Sequence, residues 1–96
     1  MEKYDVAYFK EQGVVLVVIF LDSSFEYKTD DEKAKAMIAL QVCATSAGLV
    51  GTVIPVWEVG NSFKFIAPKN WHAFFRTPNI YQLLLANINK KLSCDF

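Results

Sequence analysis

The sequence is poor in the residues that carry metal and redox chemistry. It contains one histidine, His72, and two cysteines, and the cysteines form neither a CxxC pair nor a metal-ligand spacing. We interpret Cys43 as a small buried apolar residue on a helix and Cys94 as an exposed thiol without a redox role. No metal ion and no other cofactor is therefore expected.

The chain also has no excess of charge of either sign. Lysine plus arginine and aspartate plus glutamate both number 10, and the formal net charge is zero. Proteins that bind nucleic acid usually carry a basic patch, so we expect no nucleic-acid partner. The longest apolar run, Val14 to Leu21, is far shorter than the roughly 20 residues of a membrane span. No basic signal-peptide segment precedes it, and we expect a cytoplasmic protein without a membrane span.

The sequence is rich in apolar residues, and the same order of strand, turn and helix signals occurs in both halves. Its 96 residues are 53% hydrophobic and 15% aromatic, which suits a single domain over residues 1–96. In each half, an aromatic-rich strand, a glycine turn and a second strand precede an irregular stretch that ends in a threonine, Thr29 or Thr77. This order predicts an internal ββα pseudo-repeat.

The first half begins with a predicted hairpin. Tyr4 to Phe9 is rich in strand-forming residues, and Glu11-Gln12-Gly13 suits a three-residue turn. A helix over residues 3–12 that ends at Gly13 is the alternative interpretation. Val14 to Leu21 is apolar on both faces, which is typical of a central strand.

A capped helix follows this hairpin. Thr29-Asp30-Asp31-Glu32 has the sequence of a capping box, and the helix is expected to run to about Ala47. Ile38 and Val42 lie off its apolar stripe, so they need another partner or stay exposed.

In the second half, Thr52 to Trp57 predicts a strand in which Pro55 lies at an edge or a bulge. Ser62 to Ala67 is the return strand. Thr77-Pro78 predicts the start of a last helix, whose apolar face would extend to Leu92.

These patterns predict an α+β fold of order ββαββα. It would be a two-layer domain with a mainly antiparallel four-stranded sheet and two helices on one face. About four large residues of Val14 to Leu21 would then project from the uncovered face. Self-association would cover them, which predicts a homodimer, unless the helices lie on opposite faces.

Two candidate sites follow. His72 and Asp22 each come after the second strand of their hairpin, where a carboxylate could orient a histidine base; a structural histidine is the alternative. The other candidate is an aromatic pocket or interface, with a core role as the alternative. Its residues are Trp57, Phe63, Phe65, Trp71, His72, Phe74, Phe75 and Tyr81.

The sequence thus favours a non-enzymatic binding or interaction domain that acts as a homodimer. Its partner would be a small apolar or aromatic ligand or another protein. The alternative is a small enzyme or small-molecule-binding protein with a site near His72 and Asp22.

Overall fold

The computed structural model describes residues 2–94, without the side chain of Glu2. The α-helices and strands within this range are β1 (Glu2–Glu11), β2 (Val14–Leu21), α1 (Asp30–Ser46), β3 (Thr52–Val59), β4 (Ser62–Phe65), α2 (His72–Phe75), α3 (Ile80–Ala86) and β5 (Lys90–Cys94). Short 3₁₀ helices, Ser23–Tyr27 and Lys69–Trp71, precede α1 and α2. The expected α+β class is confirmed.

The strands form one five-stranded sheet in the order β4-β3-β2-β1-β5. β2 and β3 are parallel and are connected through α1, whereas the other neighbouring strands are antiparallel. The sheet is therefore mixed, and the prediction of four strands is wrong because residues 90–94 form a further edge strand.

β1 is a strand, as preferred over the helical alternative, and it forms a tight hairpin with β2. Glu11 lies opposite Val14, so the turn has two residues instead of the expected three. Gln12 and Gly13 both have left-handed φ values, 52° and 79°. Two such residues match a type I′ turn, whose twist suits the flanking strands.

α1 begins at the predicted capping box. The Thr29 hydroxyl accepts a hydrogen bond from the Glu32 backbone N–H at 3.1 Å, and the Glu32 carboxylate accepts one from the Thr29 N–H at 2.9 Å. Gly48, with φ of 85°, follows the helix end. Ile38 and Val42 are 68% and 61% exposed, as their positions off the stripe indicate.

The helices lie on both faces of the sheet, so the two-layer prediction is wrong. Val17 and Ile19 of β2 pack in a core with Leu40 and Ala44 of α1. The alternate residues Leu16 and Val18 pack in a second core, which contains Phe75 of α2 and both Ile80 and Leu84 of α3. The two apolar faces of β2 are thus each covered by helix within the chain itself.

Each of the two hairpins is followed by a 3₁₀ helix and then by an α-helix. In the sheet, the hairpin of β3 and β4 lies two strand positions from the hairpin of β1 and β2. The corresponding strands run in opposite directions, since β2 is parallel to β3. The helix after the first hairpin packs on one face of the sheet, and the helices after the second pack on the other. The same order of elements therefore occurs twice, and its two occurrences place their helices on opposite sides of one sheet.

Pro55 lies where β3 becomes an edge. It is opposite Ile19 in the parallel ladder, and its carbonyl accepts from the Ile66 N–H at 3.1 Å, just past the end of β4. The side of Pro55 that lacks a donor therefore faces a point where the neighbouring strand has ended.

The last helix is shorter than predicted at both ends. Asn79, with φ of 65°, precedes α3, and the Thr77 hydroxyl donates to the Ala73 carbonyl at 3.2 Å instead of capping α3. Asn89 then begins the pairing with β1. Its side-chain amide bonds both the N–H and the carbonyl of Tyr8 at 2.9 Å, and its own N–H donates to the Val6 carbonyl at 3.0 Å.

A disulfide joins Cys43 of α1 to Cys94 of β5, with 5.8 Å between the Cα atoms. Cys94 is 1% exposed, so the prediction of an exposed free thiol is wrong. This error has the same origin as the failure to predict β5, because β5 places Cys94 under α1. The described residues contain no free cysteine.

Candidate functional site

Most of the predicted aromatic residues gather on the side of the sheet that α2 and α3 cover. They are Phe63, Phe65, Trp71, Phe74, Phe75 and Tyr81. Trp71 and Phe75 are buried in the core, whereas Phe63, Phe65 and Tyr81 are half-buried. The group therefore contains both core residues and the wall of an open site.

Trp57 belongs mainly to the other side. It is 3% exposed, and its ring centroid lies 4.8 Å from that of Phe25 in the first 3₁₀ helix. Its indole Nε1 donates to Glu26 Oε1 at 3.0 Å. The main role of Trp57 is to bind the first 3₁₀ helix to the sheet.

A groove runs between β4 and the helices α2 and α3, and we call it the β4 groove. It has two adjoining stretches of about 500 and 410 Å³, which share Ser62, Phe63 and Thr77. Phe63 stacks on Tyr81 with 4.7 Å between ring centroids and 27° between the planes. Offset stacking of this kind stabilises by about 0.5 to 1.5 kcal/mol beyond the burial of area, so the aromatic wall is preorganised.

Three basic residues border the first stretch of the groove. Lys64, His72 and Arg76 all border it. Lys64 Nζ lies 2.6 Å from Glu26 Oε2 and is therefore already paired. Among the described side chains, those of residues 3–94, no carboxylate lies within 4.0 Å of the Arg76 guanidinium. Arg76 is thus a cation of this stretch without an ion-pair partner in that range.

The second stretch contains a tyrosine that is hydrogen-bonded to a carboxylate. The Tyr81 hydroxyl donates to Glu58 Oε1 at 3.1 Å. Burial, and then this bond to the carboxylate, raise the pKa of Tyr81 to about 12. The phenol therefore keeps its proton at neutral pH, and the bond fixes the tyrosine ring that stacks on Phe63.

Glu26 braces β4 from the opposite side of the sheet. The hydrogen bond from the Lys64 ammonium, followed by that from the Trp57 indole, holds the pKa of this carboxyl below its usual range. The two hydrogen bonds of Glu26 join the first 3₁₀ helix to Trp57 of β3 and to Lys64 of β4. They therefore stabilise β4, the strand that borders the groove.

His72 and Asp22 are not brought together. His72 stands edge-on to Phe65 at 5.4 Å on the groove side, and its Nε2 lies 3.0 Å from the Ala67 carbonyl. Asp22 caps the first 3₁₀ helix by accepting from the Ser24 N–H at 2.8 Å, a bond that lowers its pKa. This 3₁₀ helix packs through Phe25 on the α1 side, and no hydrogen bond joins the Asp22 carboxylate to His72 among the described residues.

No residue set points to a bound metal. In the described part of the chain, no three His, Cys, Asp or Glu side chains lie close enough together to hold an ion. None of the helices between residues 2 and 94 is long and apolar enough to cross a membrane. Comparison of the chain with protein-family models, curated proteins and solved structures gives no match.

Among the polar residues of the groove, the sequence singled out His72 but not Arg76 or Glu58. Arg76 follows directly on the aromatic pair Phe74-Phe75, and a charge next to an aromatic run was the available signal. Glu58 and Glu26 had no comparable signal, because their partners are distant in the sequence and meet them only through the sheet register.

Proposed function

We propose that the protein is a non-enzymatic binding domain and that its ligand or partner occupies the β4 groove. The observation that supports this most strongly is that an aromatic wall borders the same groove as Arg76, which has no carboxylate partner among the side chains of residues 3–94. Specific binding sites commonly combine a mainly apolar surface with a few convergent polar groups. This composition suits an occupant that is both apolar and anionic.

The alternative is an enzyme or small-molecule site that uses His72 and Asp22. We favour it less, because each of these two side chains makes a local hydrogen bond and, among the described residues, none joins one to the other. A histidine that acts as a general base usually needs a partner to fix its orientation.

Self-association is a secondary proposal. Its original premise, an uncovered sheet face, no longer applies, because helices cover both faces. Ile38 and Val42 on the outer surface of α1 are its remaining support. Light scattering over a dilution series tests it: a mass above 10.9 kDa that falls to this value in Ile38→Asp would support a dimer, and a constant 10.9 kDa would contradict it.

A cytoplasmic location was expected from the sequence, and the disulfide does not favour it. Structural disulfides persist in oxidising compartments and are rare in the cytosol. We therefore propose that the protein works under oxidising conditions. A count of free thiols in denatured protein, taken directly from its source cells with thiols blocked at lysis, tests this; two free thiols would contradict it.

The groove is tested with anilinonaphthalene sulfonate, an aromatic anion, as the probe. We expect an NMR titration to shift the signals of Phe63, Phe65 and Tyr81, and we expect Arg76→Gln to weaken binding. Tyr81→Ala should weaken it as well. Tyr27→Ala is the matched control, since Tyr27 is an exposed tyrosine outside the groove.

Two results would contradict the proposal. One is that the shifted signals belong to residues outside the groove. The other is that Arg76→Gln and Tyr81→Ala both bind the probe as the wild type and Tyr27→Ala do, while their circular dichroism shows that they are folded.

A further inference from the structure

We propose that the occupant of the β4 groove is an extended segment of a protein partner, which adds a strand to the open edge of β4 and presents an acidic side chain to Arg76. This inference rests on the proposed function and specifies the partner of the same site. Strand addition to a sheet edge is a common mode of peptide recognition, in which backbone hydrogen bonds supply affinity and side-chain pockets supply specificity.

The register of the second hairpin determines which groups of β4 are open. Val59 lies opposite Ser62 next to the two-residue turn, and such a pair is hydrogen-bonded. Bonding alternates along the strand, and the Ile66 N–H, which bonds the Pro55 carbonyl, continues this alternation. The N–H and C=O groups of Phe63 and Phe65 therefore point away from β3, toward the free edge.

The other edge of the sheet is protected. β5 carries the adjacent exposed lysines Lys90 and Lys91. Lys91 is paired with Asp5 of β1, whereas Lys90 has no carboxylate within 4.0 Å among the described side chains, and an unpaired edge lysine discourages pairing with another chain. β4 has one lysine, and Glu26 holds it on the α1 side of the sheet. Of the two edges, β4 is the one that lacks such protection.

The shape and charge of the groove match an extended peptide. Its two stretches adjoin beside the same strand, so the site is elongated. In a paired strand, alternate side chains project to the same face, and those on the groove side would lie near Phe63 and Phe65. Because Arg76 has no carboxylate partner among the described side chains of residues 3–94, an aspartate or glutamate on this face supplies the missing charge.

The preference for an acidic peptide is tested with a random heptapeptide library, which is displayed on phage and selected against the immobilised protein. We expect the wild type to enrich peptides that combine acidic with apolar residues, and Arg76→Glu to enrich basic ones instead. A selected acidic peptide should bind Arg76→Glu at least about tenfold more weakly, the loss of one charge-assisted contact. Lys90→Glu, the same charge reversal at the opposite edge, is the control and should retain the wild-type selection.

The pairing of the peptide with the edge of β4 is tested by amide hydrogen exchange of the protein, measured with and without the selected peptide. In the free protein, the N–H groups of Phe63 and Phe65 should exchange fast, whereas that of Lys64, which bonds to β3, should exchange slowly. Bound peptide should slow the exchange of Phe63 and Phe65 at least about tenfold. The same peptide with N-methyl groups on its pairing amides should lose this effect.

The outcomes separate the inference from the proposed function. A selected peptide that shifts groove signals but leaves the Phe63 and Phe65 amides fast overturns strand addition, and the binding function stands. Peptides with no acidic residue, or no enrichment at all, also overturn the inference alone. Slow exchange of both amides in the concentrated free protein, lost on dilution, overturns it in favour of a second copy at the edge. Binding that survives both Tyr81→Ala and Phe63→Ala overturns the groove function as well.

Discussion

Reducing the Cys43–Cys94 disulfide is expected to lower the free energy of unfolding by about 4 kcal/mol. The bond joins residues 51 positions apart. In the chain-entropy description, closing a loop of that length removes about 14 cal/mol/K from the unfolded ensemble, which is about 4 kcal/mol at 25 °C. Since domains of this size are stable by about 5 to 15 kcal/mol, the bond supplies a large part of the total.

The position of the bond makes β5 the element most affected. β5 is an edge strand that pairs only with β1, and Cys94 lies in the core under α1 together with Leu92. Without the bond, β5 is held by its ladder, by Leu92 and by Asn89. We therefore expect the amides of β5 to lose protection from hydrogen exchange before those of β2.

The assay is urea unfolding followed by circular dichroism, with and without a phosphine reductant. The oxidised wild type should unfold at the highest urea concentration. The reduced wild type and Cys43→Ala/Cys94→Ala should unfold at similar lower concentrations, and the reductant should leave the double variant unchanged. Equal midpoints for oxidised and reduced wild type would refute the entropic estimate, and two titratable thiols in the non-reduced protein would refute the bond itself.

Three further changes have defined outcomes. Thr29→Ala should lower the free energy of unfolding by about 1 kcal/mol, the usual cost of losing a helix N-cap; an unchanged urea midpoint would show that Thr29 does not cap α1. Gly51→Ala should destabilise by about 1 to 3 kcal/mol, because a Cβ atom would lie 2.7 Å from the Val15 carbonyl oxygen; a stability equal to wild type would contradict this close approach. The carboxyl of Glu26 has a pKa below its usual 4.5 in the fold, so its stabilisation is present above about pH 4.5 and is lost as the pH falls through the lowered value. Urea midpoints of wild type and Glu26→Gln should therefore differ at pH 7 and converge in acid, and a constant difference down to pH 2 would contradict the assignment.

Local signals were enough to predict the elements that depend on neighbouring residues. The capping box at Thr29 and the glycine after α1 act within one helical turn, and the apolar residues on both faces of β2 correctly indicated a central strand. The same two-faced pattern was also compatible with helices on opposite sides, but nothing local decided between that arrangement and a dimer.

The features that the sequence did not predict depend on distant contacts. The apolar spacing of the last predicted helix extends to Leu92, whereas residues 90–94 form a strand through pairing with β1, where Tyr4 lies opposite Leu92. The disulfide follows from this pairing, and so does the burial of Cys94. Phe63 and Phe65, which the sequence singled out, border the β4 groove, whereas the face on which Trp57 lies follows from its pairing with Lys64 across the second hairpin.

The two separate cores have a consequence for how this protein can change. Val17 packs under α1 and its neighbour Val18 packs under α2 and α3, so adjacent positions contribute to opposite sides of the sheet. Effects of substitutions that share no contacts generally add. A substitution in the α1 core and one in the core under α2 and α3 should therefore change the free energy of unfolding by nearly the sum of their separate effects, although both cores pack on the same strand.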